Sequence, residues 1–329
     1  MKKILLYILY LVLLCFLIPI LFTQKNDLKE IVEDNEENQE IKYNYGKYST
    51  VKLLHSDTNE IEEIELDDYL LGVVSSEMPA SFEKEALKAQ AVVARTYTIY
   101  KITEGNKHEN ADICDDSKCC QAWISKDDRL NKWNEAERDS NWIKIEEAVN
   151  TTKGKIITYD GKAINAFFHS NSGGITDTAI AVWGGTNYPY LQAVQTSGED
   201  SYKQYSSEVE ITKDEFISKI KEHHSDFIID FNDANSIKIL DYTDGERIKT
   251  IKIGNLDLAG TEVRTIFGLK SAKFQINIEG ENVKFNVTGY GHGVGMSQTG
   301  ADCMAKQGSN YEEIIKHYYT GVEIIDLNE

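Results

Sequence analysis

The sequence predicts an α+β fold in which helices and antiparallel hairpins form an extended substrate cleft, preceded by one N-terminal transmembrane helix. Three observations carry this. Asp160-Gly161 and Asp244-Gly245 lie between β-rich runs, with Gly280-Glu281 as a third such turn, and they predict hairpins whose strands are antiparallel. Two consecutive amphipathic patterns between Leu66 and Tyr100 predict a helix pair with no strand between, so the strand–helix alternation of a parallel sheet is missing. Ile4 to Phe22 is an uncharged run of about 19 residues, close to the roughly 20 needed to cross a bilayer.

Lys2 and Lys3 precede that run and place its start in the cytoplasm, with everything after Thr23 outside. A cleaved signal peptide is the competing reading. The run is long for one, and Pro19 to Gln24 offers no small-x-small cleavage site, so residues 1–23 are read as a cytoplasmic start and an uncleaved anchor. Residues 24–42 are polar and largely acidic, a flexible tether. Residues 43–329 form the folded part; within it, 205–288 could be a lobe of its own, although no linker marks it off.

Ser49 to Leu54 and Glu60 to Leu66 predict strands leading into the first helix. There Leu66, Tyr69, Leu70 and Val73 recur at helical spacing. Pro79 disfavours a helical backbone at Met78, which ends the helix near Ser76 or Glu77. Ser81 is a candidate cap for the second helix, with Glu83 and Glu85 in its first turn. Apolar or aromatic positions at 82, 86, 89, 93, 97 and 100 make one stripe and mark that helix as a core element. Ile143 to Val149 predicts a helix ending near Gly154, and Lys155–Tyr159 should pair with Ala163–Phe168 across Asp160-Gly161. A short helix spans Thr261 to Phe267, and the last covers Tyr311 to Tyr319.

Asp and Glu outnumber Lys and Arg by 54 to 35, for a formal charge of −19. This argues against nucleic acid as a partner, whose binding depends on neutralising phosphates. It also argues against docking through a basic patch on anionic lipid, leaving the N-terminal run as the membrane contact.

Chemistry concentrates in three stretches. Glu77 stands at the corner between the two helices, a carboxylate held by rigid elements, with Val73, Val74 and Met78 available to raise its pKa. Its competing reading is a solvated loop carboxylate. His169-Ser170-Asn171-Ser172-Gly173-Gly174 follows an apolar strand and clusters hydrogen-bonding groups beside two flexible glycines. Strand neighbours face opposite sides, so His169 is poorly placed to activate Ser170 as a nucleophile, and lining a cleft is the better reading. Gly289 to Gln298 is glycine-rich but lacks the Lys-Ser/Thr of a phosphate loop. Its small residues let a backbone approach a ligand, and His292, Ser297 and Gln298 suit sugar hydroxyls. Arg95 and Tyr97 on the second helix, and Trp183 and Tyr290 as stacking surfaces, complete the candidate set. For Arg95 the rival is a structural ion pair; for the two stacking aromatics it is a place in the core.

DYLLGVVSSEMP at 68–79 with EALKAQAVVARTY at 85–97, FFHSNSGGITDTAIAVWGG at 167–185 and GYGHGVGMSQTGADCMAKQGSNYEEIIKHYY at 289–319 occur in that order over about 250 residues. Together they resemble the SpoIID/LytB domain family, with Phe82 where that family often has Trp and Thr299 where it often has Tyr. The resemblance implies a lytic transglycosylase that cleaves the MurNAc–GlcNAc bond of peptidoglycan glycan strands to 1,6-anhydro-MurNAc ends. It would act during sporulation engulfment, on strands stripped of stem peptides, with 43–329 as the catalytic domain. In that chemistry the muramic 6-hydroxyl attacks C1, and one carboxyl group serves first as acid and then as base. Glu77 matches the family's catalytic glutamate, and no second carboxylate is needed. Implied partners are stage II sporulation proteins P, an amidase, and M. The implied location is the mother-cell membrane, with the domain outside the cytoplasm and facing the forespore. The alternative is a non-catalytic glycan-binding enhancer of a cell-wall amidase, as related LytB-type domains are described. A metal-dependent amidase is a third reading.

Outside these blocks, His108, Cys114 and Cys120 are spaced six and six in a polar insert, with Cys119 as an alternative ligand. Zinc prefers thiolate and imidazole, which accounts for the grouping. A disulfide involving Cys114, the default outside the cytoplasm, and free thiols are the other readings. Adjacent cysteines in so short a loop are expected not to share one ion, so Cys119 should matter least. No organic cofactor is indicated.

Overall fold

The second helix becomes the axis of the fold because nearly every side of it is apolar. The computed structural model describes residues 45–105 and 107–327; the apolar run at 4–22 and the tether lie outside them. Among the described residues no helix is long and apolar enough to cross a membrane.

A hairpin of β1 (Thr50–Leu54) and β2 (Ile61–Glu65) feeds directly into α1 (Leu66–Glu77). After the corner comes α2 (Lys84–Glu104), then β3 (Ile113–Cys114), which joins β1 in parallel. Two helices, α3 (Lys126–Lys132) and α4 (Arg138–Thr151), lead to β4 (Lys155–Tyr159), β5 (Lys162–Ala163) and β6 (Phe168–His169). Next are α5 (Ala179–Trp183), β7 (Ser206–Thr212), α6 (Lys213–Lys221), β8 (Ile237–Tyr242), β9 (Ile248–Ile253) and β10 (Leu256–Ala259). The chain closes with α7 (Gly260–Phe267), β11 (Phe274–Glu279), β12 (Asn282–Thr288), β13 (Met296–Ser297), α8 (Gln298–Lys306), α9 (Tyr311–Tyr318) and β14 (Glu323–Asp326). The result is a mixed α and β structure with antiparallel sheets, broken only by the short parallel pairs β1–β3 and β6–β13.

Ala86, Leu87, Ala89, Val92, Val93 and Ile99 of α2 have no exposed surface, and α1, α4, α8, α9 and β4 pack around them. Each buried Leu, Val or Ile contributes about 1.5–3 kcal/mol relative to exposure, so this helix anchors the core. Ser81 does not cap it. The helix starts at Lys84 without a side-chain cap, and the Glu83 amide donates instead to Asp302 Oδ1 of α8 at 2.6 Å. The hairpin after Gly154 is shorter than its pattern predicts. Only Lys162–Ala163 pairs with β4, because Phe168–His169 leaves to pair with Met296–Ser297. That exchange joins two sequence blocks 128 residues apart.

Of the two readings for Arg95, a structural ion pair and substrate contact, the structure fits the first. Its side chain is fully buried and donates to the carbonyls of Thr152 (2.8 Å), Val149 (3.3 Å) and Lys155 (3.3 Å), with Asp67 at 3.8 Å. These carbonyls end α4, where the last turn has no intrahelical donors and a cation is favoured. Arg95 therefore ties α2 to the α4–β4 junction and is closed to substrate. Tyr97 is buried too, its ring 6.1 Å from Phe167.

Residues 205–288 hold a second hydrophobic cluster, built on Phe216, Phe267, Phe274 and Phe285 beneath the sheets β10–β9–β8 and β11–β12–β7. Asp244-Gly245 and Gly280-Glu281 turn their hairpins as the dipeptides predict. Arg247 donates to the carbonyls of Ser172 (2.8 Å) and Ile175 (3.1 Å), linking this segment to the second sequence block.

Gly72 in α1 is required by contact. A Cβ there would lie 2.2 Å from Trp123 Nε1 and 2.7 Å from the Ile124 carbonyl. Alanine is the better helix former by about 1 kcal/mol. Gly72→Ala is nevertheless expected to destabilise the protein by about 1–3 kcal/mol, the usual range for overpacking, read as a lowered thermal midpoint.

Candidate functional site

Glu77 is the last residue of α1. Met78 is already extended and Pro79 follows, so the chain turns away and leaves the carboxylate at the helix end. Its Oε1 accepts the Ala122 amide at 2.5 Å, and the Gln298 side chain supplies a second hydrogen bond. Burial outweighs both and raises the Glu77 carboxyl from 4.5 to about 7. Near neutrality this group is therefore divided between acid and carboxylate, the condition for giving a proton and taking one back.

The cleft at Glu77 has a volume of about 260 Å³. Ser75, Ser76, Ser170, Gln204, Gln298 and Thr299 line it with hydroxyls and amides, and Met78, Phe82 and Trp133 give it apolar wall. Among the described residues Glu77 is the only carboxylate in this lining and Arg129 the only cation. Among them, too, an attacking or water-activating carboxylate of the kind hydrolases place opposite the acid has no counterpart in the lining.

The structure brings Glu77, Ser170 and Gln298 together and disperses the other candidates. Ser172 and Ser297 point away from the cleft, to Glu199. That buried carboxylate accepts the amides of Ser172 and Gly174 at 3.0 Å each, the Thr299 hydroxyl at 2.9 Å, and the hydroxyls of Ser172 and Ser297. Glu199 pins the Ser170–Gly174 segment to the start of α8 and so fixes where Ser170, Gln298 and Thr299 stand. Nothing in its local sequence marks it, because Ser197-Gly198-Glu199-Asp200 has the polar pattern of a solvated turn. Gly173 is held in the same segment, its amide donating to Asn171 Oδ1 at 2.9 Å.

The histidines are structural. His169 donates Nδ1–H to the Val294 carbonyl at 3.1 Å, and its ring centroid lies 5.5 Å from that of His292. His292 Nδ1 accepts the Val294 amide at 3.1 Å, and its ring also hydrogen-bonds to the Phe168 backbone. Burial, and then the charges of Arg264 and Arg247, drive His292 down to about 3; burial also holds His169 well below its usual value. Both are held by backbone, and His292, half-buried beside Trp183 at 5.0 Å between ring centroids, lies outside the lining of the Glu77 cleft. The glycines around it serve packing as well: at Gly293, with φ +83°, a Cβ would fall 2.0 Å from Arg247 Cζ. Trp183 and Tyr290 remain available for stacking, at 49% and 42% exposed.

His108, Cys114, Cys119 and Cys120 converge, their ligand atoms all within 4.8 Å of one another. Cys119 Sγ and Cys120 Sγ stand 3.6 and 3.5 Å from His108 Nε2. This corrects the expectation for Cys119. The loop turns back on Asp116, whose carbonyl accepts both the Cys119 and Cys120 amides, and so adjacent cysteines reach one centre. No disulfide forms among the four described cysteines. The group could hold a metal ion. Burial pushes the Cys114 thiol up and the Cys120 thiol to about 12, so a cation is what would keep these sulfurs as thiolates. Two residues beyond Cys120 is Ala122, the amide donor to Glu77. Cluster and carboxyl group thus share one short loop.

The family described as SpoIID, stage II sporulation protein, matches residues 55–159. The chain is 33% identical to stage II sporulation protein D of Bacillus amyloliquefaciens over 85% of its length and 79% of that protein. It is 32% identical to the protein of the same name from Bacillus subtilis (strain 168), over 85% and 80%. It also resembles an amidase enhancer of Bacillus subtilis (strain 168), at 28% identity over 78% of this chain and 40% of that protein.

Proposed function

The chain belongs to the stage II sporulation protein D family, and from that premise we propose that it is a lytic transglycosylase of peptidoglycan glycan strands, acting during sporulation engulfment. The observation that carries the reading is the lone, half-ionised carboxyl group of Glu77 in a cleft lined by hydroxyls and amides.

In the proposed reaction, protonated Glu77 gives its proton to the oxygen leaving C1 of a MurNAc residue. The bond to GlcNAc breaks as positive charge grows at C1, and the 6-hydroxyl of the same ring closes onto that carbon. Glu77, now a carboxylate, takes the hydroxyl proton and is returned to its starting state. The products are a 1,6-anhydro-MurNAc end and a GlcNAc 4-hydroxyl end, with no water consumed. Ser170 and Gln298 would hold sugar hydroxyls, and the apolar side of the cleft keeps the acid from ionising early.

The three thiols and one imidazole fit zinc, the borderline-soft ion that takes four such ligands in closed structural sites. His108, Cys114, Cys119 and Cys120 would hold the ion, and the His108 Nε2 separations of 3.6 and 3.5 Å from the Cys119 and Cys120 sulfurs support one shared centre. Its proposed part is to order the loop that carries Ala122.

On the same reading the run at 4–22 anchors the protein in the mother-cell membrane with the domain outside, and proteins P and M of the same sporulation stage are partners. Membrane fractionation tests the first point and co-purification the second. The alternative, a non-catalytic enhancer of a wall amidase, is favoured only by the likeness to a protein of that name. Mass analysis of products from stem-peptide-free strands separates the two. Anhydro-MurNAc ends are expected from the protein alone; unchanged strands, together with stimulation of an added amidase, would establish the enhancer instead.

A further inference from the structure

Arg129 is a cation with nothing to pair with inside the cleft. It lies on α3, within the residues that the family model matches but outside the three sequence blocks, and is partly buried. Its Nε is buried without a hydrogen-bond partner, and no carboxylate stands within ion-pair distance of its guanidinium among the described residues, although Asp127 and Asp128 precede it. Burial alone lowers its pKa, with no acidic neighbour acting on it. The guanidinium lies over the Trp133 ring, 5.6 Å from the centroid, and both residues line the cleft with Glu77. Nor is Arg129 a partner of Glu77: the groups acting on that carboxyl are the Ala122 amide and Gln298.

In a protein of charge −19, an arginine in the cleft with no acidic partner and with its Nε buried without a hydrogen bond is placed to meet a ligand anion. A glycan strand freed of peptide offers one such anion per disaccharide. It is the carboxylate of the lactyl ether on MurNAc, the ring whose C1 is attacked; GlcNAc has none.

We propose that Arg129, placed over the Trp133 ring, is a carboxylate-reading subsite that recognises the free lactyl group of MurNAc in the Glu77 cleft. It rests on the glycan-strand reading above. A planar guanidinium matches a carboxylate with two parallel hydrogen bonds, and the indole beneath preorganises it and presents apolar surface to the sugar. When the lactyl group is an amide, as where a stem peptide is attached, the anion is gone and the subsite loses its partner. The reaction supplying the preferred substrate is therefore hydrolysis of that amide.

The test measures binding in a Glu77→Gln background, so that strands are not consumed. The probes are peptide-free glycan strands and the same strands with their lactyl carboxylates converted to methylamides, titrated by calorimetry. The Glu77→Gln protein is expected to bind the free acids roughly tenfold or more tightly, the range for a charge-assisted hydrogen bond, with a preference that shrinks as salt is added. Adding Arg129→Ala should bring the two affinities to within about twofold, while Arg129→Lys, a point charge without the fork, keeps part of the preference. Equal affinities in the Glu77→Gln protein would overturn the proposal, as would a preference that survives Arg129→Ala with native-like melting. Because the proteins compared are inactive, the outcome is independent of anhydro-MurNAc formation. Cleavage without carboxylate preference removes the subsite alone, and preference without cleavage removes the enzyme reading alone.

Discussion

Glu77→Gln is expected to abolish strand cleavage, by at least about 10²–10⁴-fold, the span that one general acid–base group contributes, and to leave glycan binding in place. Glutamine keeps an oxygen for the Ala122 amide and fills the same space, so the loss is chemical. On the proposed mechanism the active form is the acid, and it is expected to disappear as pH rises through about 7. The profile of kcat/KM should be flat below that value and fall about tenfold per pH unit above it. Stability gives an independent reading of the same shift. The folded-state pKa is raised from 4.5 to about 7, so the proton stabilises the fold fully below the unfolded value and that contribution is lost as pH rises through the folded one. At pH 8 the penalty for holding a buried carboxylate is on the order of 3 kcal/mol. Glu77→Gln should therefore melt above wild type at pH 8 and level with it near pH 4. Cleavage retained by a folded Glu77→Gln protein would remove the assignment, whatever the melting data show.

The second large effect belongs to the His108–Cys114–Cys119–Cys120 centre. Elemental analysis of protein purified without added metal should find about one zinc per chain, the content of a single four-ligand site. Each of His108→Ala, Cys114→Ser, Cys119→Ser and Cys120→Ser should bring it close to zero, since the four ligand atoms share one centre. Cys119 is the decisive member: the spacing argument expects a mild effect, and the geometry an effect equal to that at Cys120. Metal loss should lower the thermal midpoint, because the polar insert has too few apolar groups to order itself. It should also lower cleavage, because Ala122 holds Glu77 from two residues beyond Cys120. Strong chelation should reproduce both. A metal-free protein with full activity and an unchanged midpoint would sink the centre.

What could be read from the chain alone is what short-range physics controls. Helical spacing from Leu66 to Val73, the halt imposed by Pro79, the turns at Asp244-Gly245 and Gly280-Glu281, and the apolar stripe of α2 are decided within a few residues. They predicted the elements, the corner at Glu77 and the mixed fold with antiparallel sheets. Tertiary structure alone decided which polar groups reach the cleft. The Ala122 amide lies 45 residues from Glu77, and Glu199 receives hydroxyls from 27 and 98 residues away. Arg95, inside the motif at 85–97, was spent on the carbonyls at the α4–β4 junction, while burial and two arginines lowered the pKa of His292. Arg129 and Trp133 gave no sign, because α3 is a short polar helix whose orientation nothing nearby dictates. The reason is common to all of these. A buried polar group must find a partner, and which one it finds depends on long-range packing that local spacing does not encode.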